Sequence, residues 1–145
     1  MKPKLIAIVG TNASGKSAVG LELARSYGGE IVSADSRQIL RGYDLCSGKV
    51  TAEERQAVPH HLLDITDAGA YFSLADYQSH AYAAIDDIAS RGRQPFLVGG
   101  TGLYVNAVAD GYDLVDAGPD EELRERLENM TAEELVLLLR EKTGE

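Results

Sequence analysis

The sequence predicts an α/β fold with a mostly parallel sheet. Three apolar, β-branched stretches at residues 4–9, 30–35 and 95–98 are predicted as strands, and stretches with helical apolar spacing lie between and after them. Strands that alternate with helices are typical of parallel sheets covered by helices. Three strands are few for such a domain, so we expect the sheet to be incomplete in this chain.

The composition fits a single domain. The chain has 145 residues, of which 44% are hydrophobic, which is enough for one core and too short for two ordinary domains. A single cysteine excludes an internal disulfide framework, and the N-terminal stretch has no apolar run of signal-peptide length. No run approaches the roughly 18 apolar residues of a membrane span. We therefore expect a cytoplasmic protein without a membrane span, and a monomer.

The net charge of −9 argues against a nucleic-acid partner, because binding to a phosphate backbone requires basic side chains. The charge is unevenly distributed, however. Residues 1–50 carry +3, residues 51–109 carry −4 and residues 110–145 carry −8. The acidic excess is concentrated at the C-terminal end, and it does not exclude an anionic ligand in the N-terminal part.

The first strand is followed by a glycine-containing loop and a helix. Apolar spacing predicts the helix over residues 17–26, and Gly28-Gly29 ends it. The second strand, 30–35, leads into a polar turn at 36–38. Asp35 therefore lies near the carboxyl end of a strand.

The middle of the chain is predicted as mostly loop, followed by a long helix. Residues 41–72 show little periodicity apart from a short helix at 51–57. Apolar residues at spacings of three and four then predict a helix to about residue 91. Ser73 is its expected N-cap, with Asp76 at the N3 position.

The C-terminal part is predicted to be helical. A helix over 101–109 follows the third strand, and residues 119–142 have the pattern of two acidic amphipathic helices split near Asn129-Met130. Thr131 and Glu134 have the spacing of a capping box at the start of the second of these.

The loop after the first strand is a phosphate-binding motif. Its residues Gly10-Thr11-Asn12-Ala13-Ser14-Gly15-Lys16-Ser17 match the Walker A pattern G-x-x-x-x-G-K-[ST]. Inward-pointing backbone N–H groups and the following helix N-terminus favour a polyphosphate. We expect Lys16 to neutralise phosphate oxygens and the Ser17 hydroxyl to hold Mg²⁺. Together with the strands, this loop predicts a P-loop NTPase-like three-layer fold.

The motif leaves the reaction open. The chain lacks the Asn-Lys-x-Asp segment of GTPases and the apolar strand ending in an acidic pair that is typical of motor ATPases. Asp35 is the only acid directly ending a strand, so it is a Mg²⁺ ligand, a general base for a substrate amine or hydroxyl, or merely a turn residue. A small-molecule kinase that uses ATP fits these features, and so does an inactive fragment that binds phosphate.

Two further features suggest chemistry but favour structural roles. The adjacent His60 and His61 point to opposite sides of an extended segment and lack further ligands at suitable spacing, so we expect structural hydrogen bonds. Cys46 has no neighbour in sequence that would activate its thiol, so we expect a small loop or buried residue.

Read together, several segments resemble the tRNA dimethylallyltransferase (isopentenyltransferase) family between Lys4 and about Gly111. Besides the phosphate loop they are residues 33–38 (SADSRQ), 58–62 (VPHHL), 64–65 (DI) and 98–104 (VGGTGLY). The resemblance implies that the loop binds dimethylallyl diphosphate rather than ATP. It also implies transfer of the dimethylallyl group to the exocyclic amine of an adenosine beside the anticodon, in the anticodon stem-loop of a tRNA.

The resemblance also implies roles for individual residues. Asp35 would be the general base, Lys16 would stabilise the leaving diphosphate together with Mg²⁺ on Ser17, and Thr101 would lie at the reacting centre. The residues implied in binding the tRNA are Asp35, Ser36, Arg37, Gln38, Thr101 and, by a looser match, Arg124.

The chain departs from the family pattern at several positions. Thr11-Asn12 replaces a Pro-Thr pair, Leu40 stands where tyrosine is common, and the stretch 46–50 differs but keeps its lysine, Lys49, which could still contact phosphate. Family members are longer and carry a helical tRNA-binding insertion. We therefore expect residues 1–112 to form the prenyl-diphosphate-binding core, and residues 113–145 to begin that insertion.

Overall fold

A computed structural model describes residues 4–114 and 118–144. The chain divides after Leu114 into two compact units. The first unit contains β1 (Ile6–Val9), α1 (Lys16–Ser26), β2 (Glu30–Ser33), α2 (Ala52–Ala57), β3 (His60–His61), α3 (Leu74–Ser90), β4 (Pro95–Gly99), α4 (Gly102–Asn106) and a π-helical turn (Ala107–Gly111). The second unit contains α5 (Glu121–Glu128) and α6 (Ala132–Thr143).

The described strands form one parallel sheet in the order β1-β4-β2-β3. The α/β class predicted from the sequence is confirmed. Because β4 lies between β1 and β2, and all three run in the same direction, their carboxyl ends meet at one edge of the sheet. The phosphate loop follows β1 at that edge, Asp35 follows β2 and Thr101 follows β4.

The two faces of the sheet pack against different helices. Alternate residues of a strand point to opposite faces. In β2, Ile31 belongs to the core cluster that contains Ala24 of α1, whereas Val32 belongs to the cluster that contains Tyr77 of α3. In β4, Leu97 likewise packs with the α3 cluster. The first unit therefore has three layers, with α1 on one face and α3 on the other, as the P-loop NTPase-like prediction required.

A stacked pair of tyrosines connects α3 to the edge of the sheet where the carboxyl ends of the strands meet. The rings of Tyr77 and Tyr104 lie 3.7 Å apart with an angle of 14° between their planes. The Tyr77 hydroxyl donates to the carbonyl oxygen of Ser33 at 3.0 Å, and the ring is fully buried. Burial raises the pKa of Tyr77, so the hydroxyl stays protonated and keeps this bond. This bond holds the end of β2, two residues before Asp35, against α3.

The helix boundaries follow the capping signals. Ser73 accepts from the backbone N–H of Asp76, and Thr131 does the same with Glu134, so both predicted capping boxes are present. A third box at Thr51 begins α2, which confirms the short helix predicted at 51–57.

The helix predicted over 101–109 is wrong in its second half. The α-helix ends at Asn106 and a π-helical turn follows it. Gln78 of α3 donates to the carbonyl oxygens of Ala107 and Tyr112 at 2.7 and 2.9 Å, and the Tyr82 hydroxyl donates to Val108 at 3.2 Å. These side chains supply donors to carbonyl groups at the C-terminal end of the helical segment, where intrahelical donors are lacking.

The strand β3 was not predicted from the sequence. It has only two residues, too few for a periodicity, and follows Pro59 in an aperiodic segment. It forms because His61 pairs with Val32 in register and because Ile31 donates its N–H to the Pro59 carbonyl oxygen at 3.0 Å. The formation of β3 therefore depends on contacts with residues distant in sequence.

The strand β1 lies at one edge of the described sheet. It is shorter than the predicted 4–9, and its Ile6 and Val9 side chains are 41% and 56% exposed. In the part of the chain that the structure covers, no helix is both long and apolar enough to cross a membrane.

Candidate functional site

The phosphate loop wraps around the N-terminal end of α1. Gly15 is the N-cap residue and takes a φ of +84°, a left-handed conformation that glycine adopts without strain. Ser14 donates its N–H to the Thr11 carbonyl oxygen at 3.3 Å, and the Lys16 ammonium donates to the same oxygen at 3.0 Å. The Lys16 charge therefore lies over the loop, where an anion would meet it.

A pair of glycines lets the three strand ends approach closely. A Cβ atom at Gly99 would collide with the Ala34 backbone. A Cβ atom at Gly100 would lie 3.2 Å from the Gly10 carbonyl oxygen and 3.5 Å from the Lys16 Nζ. The Gly-Gly-Thr segment after β4 thus lies directly beside the phosphate loop, because its glycines lack side chains.

Thr101 links this segment to the stretch around Asp35. Its N–H donates to the Ala34 carbonyl oxygen at 3.0 Å, and its hydroxyl oxygen accepts from the Ser36 N–H at 2.9 Å. The Thr101 hydroxyl in turn donates to the Ser36 hydroxyl at 3.2 Å. Asp35 accepts from the Arg37 N–H at 2.9 Å, which orients its carboxylate. The resulting chain of bonds fixes Asp35 relative to the end of β4.

One cavity of about 730 Å³ joins the phosphate loop to Asp35. This volume suits a ligand of small-molecule size. Of the site residues predicted from the sequence, those that line it are Asn12, Ala13, Gly15, Lys16, Ser17, Asp35, Arg37 and Gln38. The other predicted residues of the first unit do not line it: Gly10, Thr11, Ser14, Ser36 and Thr101. Arg124 belongs to α5 in the second unit.

Another part of the cavity wall was not found from the sequence. It comes from the aperiodic stretch and the cores of two strands, with the lining residues Ile31, Leu45, Cys46, Ser47, Gly48, Val50, Glu54, His60 and Val98. Cys46 is exposed on this wall. Only the glycines and polar residues in positions 42–48 hint at turns here, and they do not tell which side of the turn faces the phosphate loop.

The two adjacent histidines make the structural hydrogen bonds that we expected. His60 bonds through Nδ1 to the Val58 carbonyl oxygen at 2.7 Å, and His61 bonds to the Glu30 carboxylate at 2.7 Å. Burial lowers the pKa of His60, so it is neutral at pH 7 with Nδ1 as the donor. His60 nevertheless reaches the cavity wall, which its sequence position did not suggest.

Lys49 does not point to the phosphate loop. Its side chain is 1% exposed and its ammonium bonds to Asp44 and Asp64. The sequence-based suggestion that it could contact phosphate is therefore wrong for this conformation, because two acidic partners close to Lys49 outcompete a more distant anion.

The residues at the loop are compatible with Mg²⁺. Among the described residues, no group of three or more His, Cys, Asp or Glu side chains could hold a metal by itself. Mg²⁺ at phosphate sites commonly takes only one or two protein ligands and completes its shell with phosphate oxygens and water. Ser17 and Asp35 line one cavity and supply oxygen ligands of this kind.

The sequence is similar to known tRNA-modifying enzymes. Residues 38–143 match the family model described as IPP transferase. A tRNA dimethylallyltransferase from Roseiflexus sp. (strain RS-1) is 56% identical over 129 residues, which are 89% of this chain and 42% of that protein. One from Halalkalibacterium halodurans is 52% identical over 88% of this chain and 41% of its own length.

Solved structures show the same similarity in three dimensions. The full-length tRNA isopentenylpyrophosphate transferase from Bacillus halodurans matches with a TM-score of 0.76 and 52% identity, over 88% of this chain and 42% of that one. A eukaryotic dimethylallyltransferase acting on tRNA matches with a TM-score of 0.69 and 30% identity, over 92% and 31%.

The match is broad within this chain and partial within the relatives. The chain spans about two fifths of the length of the curated relatives it matches. The family model covers most of the chain, and the fold agrees with that of the solved relatives. The protein therefore belongs to the IPP transferase family.

Proposed function

We propose that this chain carries the diphosphate-binding and proton-accepting part of a tRNA dimethylallyltransferase. The reaction transfers a dimethylallyl group from dimethylallyl diphosphate to the exocyclic amine of an adenosine next to the tRNA anticodon. The supporting observation is that Lys16 and Asp35 line one cavity. In this cavity the leaving diphosphate would contact the phosphate loop, and the attacking amine would contact the Asp35 carboxylate.

The chemistry needs both groups. The bond between the allylic carbon and the diphosphate oxygen breaks while a bond forms between that carbon and the adenosine amine. Negative charge develops on the departing diphosphate, where the loop N–H groups and the Lys16 ammonium stabilise it. The amine gains positive charge as it attacks, and the Asp35 carboxylate accepts the proton that it loses. Mg²⁺ held at Ser17 would add further neutralisation of the diphosphate charge.

The acceptor would lie against the residues that follow β2. Ser36, Arg37 and Gln38 are the proposed contacts to the adenosine, and Arg124 is a proposed contact to the tRNA. Thr101 supports the first of these through its bonds to Ser36. We further propose that residues 113–145 begin a tRNA-binding insertion and that the protein acts in the cytoplasm as a monomer.

The central test is the Asp35→Asn substitution in a full-length form. With dimethylallyl diphosphate, Mg²⁺ and an anticodon stem-loop RNA, we expect the wild type to give prenylated adenosine and the variant to lose about 100-fold or more in kcat, as is usual for a missing general base. Asp67→Asn is the matched control, because Asp67 is exposed and pairs with Arg41 outside the cavity.

The outcomes separate the possible reactions. No prenylated product from a folded wild-type protein would refute the proposal. Hydrolysis of ATP, or binding of ATP in preference to dimethylallyl diphosphate, would instead favour a small-molecule kinase. Full activity of Asp35→Asn would be compatible with prenyl transfer but would show that Asp35 is not the general base.

A further inference from the structure

A short segment between β2 and α2 forms part of the cavity wall. We call residues 43–48 the wall loop, and four of its members line the cavity: Leu45, Cys46, Ser47 and Gly48. The segment contains no strand or helix and is largely exposed, with Leu45 completely so. A segment with so little burial of its own keeps one shape only where other contacts hold it.

Lys49 supplies such contacts at the end of the wall loop. Its ammonium donates to the carbonyl oxygen of Leu40 at 2.6 Å, to Asp44 at 2.9 Å and to Asp64 at 2.5 Å. An ammonium group has three protons to donate. All three are used here, so none is left for a phosphate oxygen in this conformation.

Asp64 connects Lys49 to the stretch after β2. Its second carboxylate oxygen accepts from Arg55 at 3.0 Å, and its own N–H donates to the Gln38 carbonyl oxygen at 3.2 Å. Asp64 takes a φ of +58°, which is uncommon for a residue with a side chain. The carboxylate is thus aimed at Lys49 by a defined backbone turn.

Gln38 contacts the wall loop directly. Its side-chain N–H₂ group donates to the carbonyl oxygens of Ser47 and Gly48 at 3.5 and 3.3 Å, and its oxygen accepts from the Ser33 hydroxyl at 3.1 Å. A displaced wall loop would remove both acceptors from Gln38. The orientation of this proposed adenosine contact therefore depends on the position of the wall loop.

Both members of the Lys49–Asp64 pair are charged at neutral pH. Burial lowers the pKa of Lys49, but its bonds to Asp64 and Asp44 outweigh that effect, and the net pKa lies above the ordinary value. The hydrogen bond from Lys49 lowers the pKa of Asp64, against an opposing effect of burial. Removal of either partner would leave the other charge without its main neighbour.

We propose that Lys49 and Asp64 are positioning residues that hold the wall loop against Gln38, and that they set the binding of the acceptor nucleoside without contacting the diphosphate. The consequence for the acceptor rests on the proposed prenyl transfer. The attachment of the wall loop by Lys49 and Asp64 does not rest on the proposed function, and it can be measured separately.

The fastening is tested by hydrogen exchange in the 145-residue chain. In Lys49→Met and in Asp64→Asn, we expect the backbone amides of residues 44–49 to exchange about tenfold faster or more, because the loop opens when its anchor is lost. The double variant should be no faster than the faster single one, since both remove one interaction. Arg140→Gln is the control, because Arg140 lies in the last turn of α6, in the second unit.

The binding of Mg²⁺-pyrophosphate to the same variants separates a loop anchor from a phosphate ligand. We expect unchanged affinity in both single variants. Unchanged exchange in the wall loop, or a loss of pyrophosphate affinity on Lys49→Met alone, would overturn the proposal. If Lys49→Met does not fold, Asp64→Asn decides the matter, because it keeps the size of the side chain and removes the carboxylate charge that pairs with Lys49 and Arg55.

The effect on the acceptor is tested in a full-length form. We expect the KM for the anticodon stem-loop to rise about tenfold or more in both variants, as a displaced positioning group commonly causes, with the KM for dimethylallyl diphosphate unchanged. If the substitutions only destabilised the fold, the fraction of active enzyme would fall and both KM values would stay unchanged. That result would contradict the proposal. If the wild type makes no prenylated product, the proposed function is refuted. The hydrogen-exchange result still decides whether Lys49 and Asp64 hold the wall loop.

Discussion

At the level of single residues, Thr101 illustrates how a side chain can matter without lining the cavity. Its hydroxyl oxygen accepts from the Ser36 N–H, and its own N–H holds the Ala34 carbonyl oxygen. Only the first of these bonds uses the side chain. A substitution that keeps the shape of Thr101 and removes its hydroxyl therefore isolates the link to Ser36.

We predict that Thr101→Val in a full-length form lowers kcat for prenyl transfer by about tenfold to 100-fold, because Ser36 and the neighbouring Asp35 lose their fixed position. Thr101→Ser keeps the hydroxyl and should retain most of the activity. Thr143→Val serves as the control, since Thr143 bonds within α6 at an exposed position. Equal activities of the Val and Ser variants at Thr101 would show that the hydroxyl has no role.

Residue types and spacing predict part of this site. The phosphate loop is recognisable from the fixed spacing of its glycines, lysine and serine, and Gly15 with its positive φ shows why one of those glycines is needed. The partners of Lys49 could not be predicted in the same way. A lysine near a phosphate motif is equally compatible with an anion or a carboxylate, and Asp64 lies fifteen positions away in an aperiodic segment.

At the level of elements, α3 is defined at its N-terminus by a capping box. Ser73 accepts from the Asp76 N–H at 3.1 Å, and the Asp76 carboxylate accepts from the Ser73 N–H at 2.8 Å. We predict that Ser73→Ala lowers the free energy of unfolding by about 1 kcal/mol in urea denaturation, which is the usual cost of a lost cap. Ser90→Ala, at the exposed other end of the same helix, should change it by less. Equal effects of the two substitutions would contradict the capping role.

Glu30 joins three elements at the end of the sheet away from the cavity. Its carboxylate lies at the start of β2 and is 3% exposed. It binds the Arg91 guanidinium after α3, with both oxygens as acceptors, and His61 of β3 at 2.7 Å. The hydrogen bonds from Arg91 lower the pKa of Glu30 to about 2, against the opposing effect of burial and with a further contribution from His61.

This lowered pKa gives a pH dependence of known sign. The folded protein keeps Glu30 ionised more readily than the unfolded chain does, so the contribution to stability is present above the unfolded pKa of 4.5 and is lost as the pH falls towards 2. We predict that Glu30→Gln lowers the free energy of unfolding by about 3 kcal/mol at pH 7. The variant should also show a flatter dependence on pH between about 4.5 and 2.

Urea denaturation across this pH range tests the prediction. Asp87→Asn is the control, because Asp87 binds the same Arg91 from an exposed position and an exposed pair contributes about 0.5 kcal/mol or less. If Glu30→Gln is as stable as the wild type at pH 7, or loses stability with acid as steeply as the wild type, the ionic role of Glu30 is refuted.

At the level of the whole molecule, the chain contains the phosphate loop and Asp35 but spans only about two fifths of its curated relatives. We predict that the 145-residue chain alone binds Mg²⁺-pyrophosphate, and that Lys16→Met weakens this binding about tenfold or more, because one cation beside the anion is lost. We expect no prenylated product from this chain alone, since the resemblance to the family implies further tRNA-binding segments.

Isothermal titration calorimetry with Mg²⁺-pyrophosphate measures the binding, and Lys142→Met is the matched control because Lys142 lies in the last turn of α6, in the second unit. Product formation by the 145-residue chain would show that the first two fifths of the family sequence suffice for catalysis. Absence of pyrophosphate binding would remove the phosphate loop from the proposed site.

The sequence by itself determined the fold class, the phosphate loop, the ends of the capped helices and the position of Asp35 after a strand, whereas the general-base role of Asp35 came from the family resemblance. These features depend on local rules, such as the alternation of apolar residues, the conformational freedom of glycine and the hydrogen bonds of caps. The phosphate loop and the caps can be recognised within a few consecutive residues, whereas the fold class follows from the order of strands and helices along the chain. The resemblance to a family added Thr101, whose position after β4 the fold then explained.

Only the tertiary structure decided the strand order, β3, the π-helical turn and the part of the cavity wall formed by the wall loop. Strand β3 depends on pairing with β2, the turn on side chains from α3, and the wall loop on Lys49 and Gln38. Each of these features is stabilised by contacts with residues outside its own segment. Their free energy comes from contacts that exist only once the chain has folded, and no local pattern of residues records them.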